Sequence, residues 1–173
     1  MIHAELFNKI DDYFVSDHSL ARVRAFRYAE RQVEGWFKGE LLWLFKSLQE
    51  AKLIDSWRSE YHASQTNDRR VDFFIELADG PLYLELKAFY HGTQAGQKVD
   101  LGTCFTALPP DIDKLANLPS GNKFFLVFVT PNPEREKWQA ALERFCLKYR
   151  NVSEIPAWHE FPEEIYIAKL KVV

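Results

Sequence analysis

Cysteine is scarce in this chain of 173 residues: Cys104 and Cys146 stand alone, without a CxxC pair or a neighbouring histidine. That spacing argues against a zinc site and against a disulfide scaffold, and both thiols read as small apolar fillers. Long apolar runs are missing too. None approaches the ~18 residues that mark a membrane helix. The opening MIHAELFNKIDDYF carries acids where a secretory leader needs cations and then apolar residues, so the reading is cytoplasmic, with no membrane partner. Neither charge is in excess. Against 22 Lys and Arg stand 25 Asp and Glu, a net charge of -3, so binding a polyanion would need a local basic face. No internal repeat, low-complexity tract or long linker divides the chain. No GxSxG, P-loop or dinucleotide fingerprint appears, which removes hydrolase triads and nucleotide folds.

Apolar and aromatic residues are plentiful, at 47% and 15%, enough for one compact domain to bury a core and too much for wholesale disorder. The expectation is a single domain over 1–173, with a helical part, 1–55, packed on an α/β core, 56–173. An amphipathic helix is expected over about Ala4 to Val15 and a second from Leu20, which Gly35 and Gly39 can bend. WFKGELLWLFKSLQEAKL then continues with strong helical periodicity.

From Val71 the period changes to two. VDFFIEL and LYLELKAF flank Ala-Asp-Gly-Pro, and Asp-Gly between alternating runs is a hairpin signal. A strand near Ser59 to Ala63 can precede it. HGTQAGQKVDLGT reads as a loop, PPDIDKLANL as a short helix, and KFFLVFVT as a central strand buried on both faces. Asn132 and Pro133 can open a helix reaching about Arg150, and EIYIAKLKVV forms the last strand. The fold class is α/β, with a mixed sheet around a central β-hairpin, flanked by helices and carrying an N-terminal helical extension.

With Asp79 and Gly80 as a two-residue loop, Leu77 pairs with Leu82 and Asp72 with Lys87. Alternation then gathers Asp72, Phe74, Glu76, Tyr83, Glu85 and Lys87 on one face and leaves Val71, Phe73, Ile75, Leu82, Leu84 and Leu86 for the other. Opposed side chains lie about 5 Å apart at Cβ, so two carboxylates there can share a divalent cation. The upstream helix adds a third acid. Wound at about 100° per residue, Val33, Trp36, Phe37, Leu41, Leu44, Phe45 and Leu48 fill an arc of about 180°, and Glu40 lies inside it.

An inward glutamate on a helix, an aspartate on one strand, Glu-x-Lys on the next, and then a helix and an apolar strand: this order resembles the PD-(D/E)xK, or restriction-endonuclease-like, nuclease superfamily. The resemblance covers about Val33 to Thr130. Val71 stands where the family name has proline. The tripeptide alone is weak, since Glu50-Ala-Lys52 matches as well as Glu85-Leu-Lys87. Its weight lies in the surrounding pattern.

The resemblance implies Mg²⁺, with Mn²⁺ as substitute, held by Asp72, Glu85 and the Leu86 carbonyl, and hydrolysis of nucleic-acid phosphodiesters, DNA being the expected substrate. Lys87 would orient the attacking water or offset developing charge, and Glu40 would hold a second ion or a metal-bound water. A further polar residue after the lysine strand is often present in the family; Gln94 and Gln97 are candidates, and His91 is close in sequence. Phosphate contacts can come from Arg24, Arg27 and Arg31 on one helical face, or from Arg69 and Arg70. The same residues can instead form a solvated, ion-paired surface. The alternative function is a non-catalytic binding or assembly module of this fold, in which the acids form structural pairs. A homodimer or partner subunit is compatible with either, through the apolar side chains of FPEEIYIAKLKVV at a sheet edge, although an end strand paired within the sheet explains those side chains equally well. The five tryptophans read chiefly as packing residues.

Overall fold

In the computed structural model, which describes residues 1–28, 33–63, 70–94, 97–99, 101–131, 133–155 and 161–173, the chain is an α/β protein with a six-stranded mixed sheet. Helices α1 (His3–Phe14), α2 (Asp17–Tyr28) and α3 (Val33–Glu50) come first, followed by strands β1 (Ser56–His62), β2 (Arg70–Leu77) and β3 (Gly80–Tyr90). A small hairpin, β4 (Gly92–Gln94) and β5 (Gln97–Val99), leads into α4 (Leu101–Thr106) and α5 (Pro109–Ala116). Then come β6 (Asn122–Thr130), α6 (Arg135–Lys148), β7 (Val152–Ile155) and β8 (Tyr166–Val172). The sheet order is β1-β2-β3-β6-β8-β7; β3 and β6 run parallel and every other neighbouring pair is antiparallel. Among the described residues no helix is long and apolar enough to cross a membrane.

Strand β6 shows why the sheet is central. Its Phe124, Leu126 and Phe128 join α1, α2 and α3 on one face, while Phe125, Val127 and Val129 join α4, α5 and α6 on the other, all with no exposed surface. The helices match by periodicity. Leu6, Ile10 and Phe14 recur every four residues on α1, and α3 buries Phe37, Leu41, Leu44, Phe45 and Leu48. Of Lys38, Lys46 and Gln49, which the helical arc places opposite the core, Lys46 and Gln49 are exposed, but Lys38 is half-buried and pairs with Glu60 and Asp72 of the sheet. Helix α3 runs uninterrupted through Gly35 and Gly39, where a side chain would meet open space.

Four sequence expectations change. HGTQAGQKVDLGT is not a plain loop, since it contains β4, β5 and the start of α4. Strand β7 was not anticipated. Because β7 pairs with β8, EIYIAKLKVV lies inside the sheet and the edges are β1 and β7. Lys169 disguised that position. Its ammonium is buried against Asp11 of α1, so a lysine in an alternating run does not mark a wet face here. Asn132 lies outside the described residues, and α6 starts at Arg135.

The fourth change concerns the β2–β3 turn. Ala78 and Asp79 form the loop, so Leu77 pairs with Gly80 and Ile75 with Leu82. Tertiary contacts select this turn. The Asp79 carboxylate accepts the His3 main-chain N–H (3.2 Å) and bonds the His3 ring, and the Ala78 N–H donates to the Met1 carbonyl (2.9 Å). Gly80, at φ +108°, takes the conformation the turn exit requires. The shift moves every partner by two residues, so the period-two faces are preserved in the paired part.

Candidate functional site

Strands β2 and β3 stop pairing at Phe73↔Leu84, although both continue. Beyond that point the Leu86 N–H has no β2 carbonyl opposite it and donates to Asp72 Oδ2 (3.1 Å). Asp72 Oδ1 meets Lys38 Nζ of α3 at 2.7 Å. Val71, in turn, joins the core on the α4–α6 side rather than the face of Phe73. The single-face arrangement therefore fails at 71–72, because a carboxylate taking a main-chain N–H draws that residue into the gap between the strands. The register does not explain it, since a shift of two residues preserves the faces. The parting of the strands does.

Glu85 lies on the α5 side. It is 4% exposed, with Lys114 Nζ at 2.5 Å from Oε1, an ion-pair contact outside normal hydrogen-bond angles. Lys114 also meets Asp111 Oδ1 at 3.3 Å, and Asp111 Oδ2 lies 3.5 Å from Lys87 Nζ. Lys87 in turn approaches Glu34 Oε1 of α3 at 4.0 Å, and Glu34 Oε2 accepts the Ala88 N–H at 3.5 Å. On the other flank Lys38 pairs with Glu60, and Glu60 with Arg70 at 2.8 Å. Two ion-pair chains result, Arg70–Glu60–Lys38–Asp72 on one flank and Glu34–Lys87–Asp111–Lys114–Glu85 on the other.

Burial pushes the Glu85 carboxyl up to about 8; Lys114 opposes the rise, and the charges of Asp72 and then Asp111 add to it. For Lys114, burial favours the neutral amine, but Glu85 and Asp111 more than offset it and hold the ammonium above its ordinary value. The two directions are in tension, because a protonated Glu85 would leave Asp111 as the main anion facing Lys114. The Glu85 direction is the firmer, since its side chain is 5% exposed against 21% for Lys114.

The expected residues divide. At the parting of β2 and β3, Asp72 bonds the Leu86 N–H and its charge acts on Glu85, while Lys87 meets Asp111 and Glu34 rather than either acid. Glu40 is buried as its helical position predicts, but it accepts bonds from Tyr13 of α1 and from Arg22 Nη1 of α2 (2.6 Å), and none of its contacts is with the hairpin acids. Burial, reinforced by Glu40, pushes the Tyr13 hydroxyl up to about 12. The helical acid beside Lys87 is Glu34, six residues earlier and roughly 9 Å along the axis. Arg24 pairs with Glu164 (2.6 Å) and Arg70 with Glu60, so both serve ion pairs. Arg31 and Arg69 lie outside the described residues, and Arg27 lies in α2. Gln94 and Gln97 face each other across the β4–β5 ladder, and His91 extends β3 by donating its N–H to Thr130 (2.8 Å). Trp138 is buried, but Trp43 is 61% exposed.

Sequence reasoning missed Lys38, Glu60, Asp111 and Lys114. Asp111 and Lys114 had a signal, an i, i+3 acid–base pair in the helix directly after Pro109 and Pro110. Lys38 and Glu60 had none that separates them from surface charges.

Among the described residues no group of three or more His, Cys, Asp and Glu side chains is gathered to hold a metal ion. Two features nonetheless suit a hard divalent cation. Asp72 and Glu85 offer oxygen donors, the charge of Asp72 opposing ionisation of Glu85, and the buried Glu85 Oε1 lacks a hydrogen bond of normal geometry. The ammonium groups of Lys38 and Lys114 supply the positive charge in this arrangement. No family model, curated protein or solved structure matches the chain.

Proposed function

We propose that the protein is a Mg²⁺-dependent nuclease with a restriction-endonuclease-like core, hydrolysing nucleic-acid phosphodiester bonds, with DNA as the expected substrate. The observation that carries this reading is the placement of a buried carboxyl, Glu85, beside Asp72 where two paired strands part, with Lys87 two residues further on. The order α3, β1, β2, β3, α5, β6, with β3 between an antiparallel and a parallel neighbour, supports the fold assignment.

Asp72, Glu85 and the Leu86 carbonyl would hold the ion, whose chemistry would be to polarise the phosphate and acidify a water. Asp72 is oriented by the Leu86 N–H and Glu85 by its burial under α5. Lys87, flanked by Asp111 and Glu34, orients a water and offsets charge developing on the phosphate. Glu34 takes the part first assigned to Glu40. Lys38 and Lys114 contact the same carboxylates, Asp72 and Glu85, that would hold the ion.

Those same contacts, at 2.7 and 2.5 Å, favour a second reading in which the acids are structural and the protein is a non-catalytic binding or assembly module. A calorimetric Mn²⁺ titration of the wild type beside Asp72→Asn and Glu85→Gln separates the two. Binding lost in both variants, with circular dichroism unchanged, and metal-dependent cleavage of DNA by the wild type are expected. A flat wild-type titration, both alone and with uncleaved oligonucleotide present, would leave the module reading.

A further inference from the structure

A cleft of about 460 Å³ opens between α4 and α6, and Pro109 at the start of α5 lines it, two residues before Asp111. Its floor is aromatic, closed by the core residues Phe105 and Phe145, 7% and 6% exposed, with the half-buried Tyr149 as its accessible ring. Phe105 lies 5.1 Å from Phe145, and Phe145 lies 4.8 Å from Tyr149, centroid to centroid. Arg144 and Lys148, four residues apart on α6, also line it, and both are exposed. Among the described residues neither pairs with a carboxylate, and no acid lines the cleft. Arg144 Nε donates to the Ala140 carbonyl (3.0 Å), and Lys148 stands 5.5 Å over the Tyr149 ring. Like charges at this spacing destabilise a helix unless an anion lies between them.

An aromatic floor beside two unpaired cations is complementary to a planar base carrying a phosphate. We propose that this cleft binds one nucleotide of a single-stranded segment of nucleic acid, the base against Phe105, Phe145 and Tyr149 and the phosphate on Arg144 and Lys148. A base stacked within a duplex is not free to enter such a cleft, so the substrate class is single-stranded or frayed nucleic acid. The identity of the ligand rests on the nuclease reading; the complementarity does not.

The test measures anisotropy of a labelled single-stranded 12-mer and of its duplex on the full chain, with a nucleoside 5′-monophosphate, the free nucleoside and inorganic phosphate as competitors. Both cations are exposed, so the Arg144→Gln, Lys148→Gln double variant keeps the fold. The single strand should bind more tightly than the duplex, and the monophosphate should compete better than phosphate or nucleoside alone. The double variant should weaken single-strand binding about tenfold or more and lower the salt dependence by about 0.7 per lost phosphate contact. Unchanged affinity in that variant, equal binding of duplex, or phosphate competing as well as the monophosphate would each overturn the proposal. Asp72→Asn separates it from the nuclease reading. Cleft binding that survives while the Mn²⁺ titration of the wild type is flat, both alone and with oligonucleotide, sinks the nuclease alone, and metal binding lost in Asp72→Asn without cleft binding in the wild type sinks the cleft alone.

Discussion

Replacing Glu85 by glutamine should make the protein more stable at alkaline pH and flatten its dependence on pH. The folded state holds this carboxyl near 8, against an ordinary value of 4.5, because burial disfavours the anion and Asp72 and Asp111 add like charge, with Lys114 opposing. Between those values the native state binds a proton that the unfolded chain has released. The stabilisation is therefore complete below 4.5 and is lost as pH rises through 8. At about 1.36 kcal/mol per pH unit the full window amounts to roughly 3 to 5 kcal/mol, a large share of a small domain's stability. Glutamine keeps the shape and carries no titrating proton. Urea denaturation of both proteins at about pH 5, 7 and 9 gives the difference directly. Glu154, also raised by burial, tilts both curves alike and cancels. The difference should grow steadily in favour of the variant as pH rises. Curves that stay parallel within about 0.5 kcal/mol would refute the claim that Glu85 is held protonated by its surroundings.

Removing the ammonium with Lys114→Met should move the wild-type pH midpoint upward, because Lys114 is the group that opposes the rise at Glu85; the same denaturation series reads it. Lys169→Met should cost about 3 to 5 kcal/mol by removing the buried cation that pairs with the Asp11 carboxylate, and adding Asp11→Leu should recover much of the loss, as a double-variant cycle would show. Glu34→Gln should weaken Mn²⁺-dependent cleavage while leaving thermal stability within about 0.5 kcal/mol, whereas Glu40→Ala should cost about 1 to 2 kcal/mol by removing the buried acceptor of the Tyr13 hydroxyl and of Arg22; calorimetry and a cleavage assay together test the contrast. Gly121→Ala should destabilise by about 1 to 3 kcal/mol on thermal melting, since at φ +153° a Cβ would lie 2.8 Å from the Pro81 carbonyl oxygen.

The chain's period-two and period-3.6 patterns reveal most of the architecture before any coordinates. Strand β6 was legible because seven consecutive buried residues leave no wet face, and α3 because its apolar arc is continuous. Glu40 was correctly placed inward, but direction around a helix says nothing about which neighbour will be met, and α1 and α2 reached it first. Local pattern likewise determined that Asp72, Glu85 and Lys87 lie on adjoining strands of one hairpin. Only the tertiary structure decided that Asp79 would be captured by His3, that the strands would part after Phe73, and that Lys38, Asp111 and Lys114 would come from two helices to meet the acids. Periodicity is set by backbone geometry over a few residues and so is written locally. The partners of a buried charge are set by which distant segments pack against it, and no short stretch of sequence contains that.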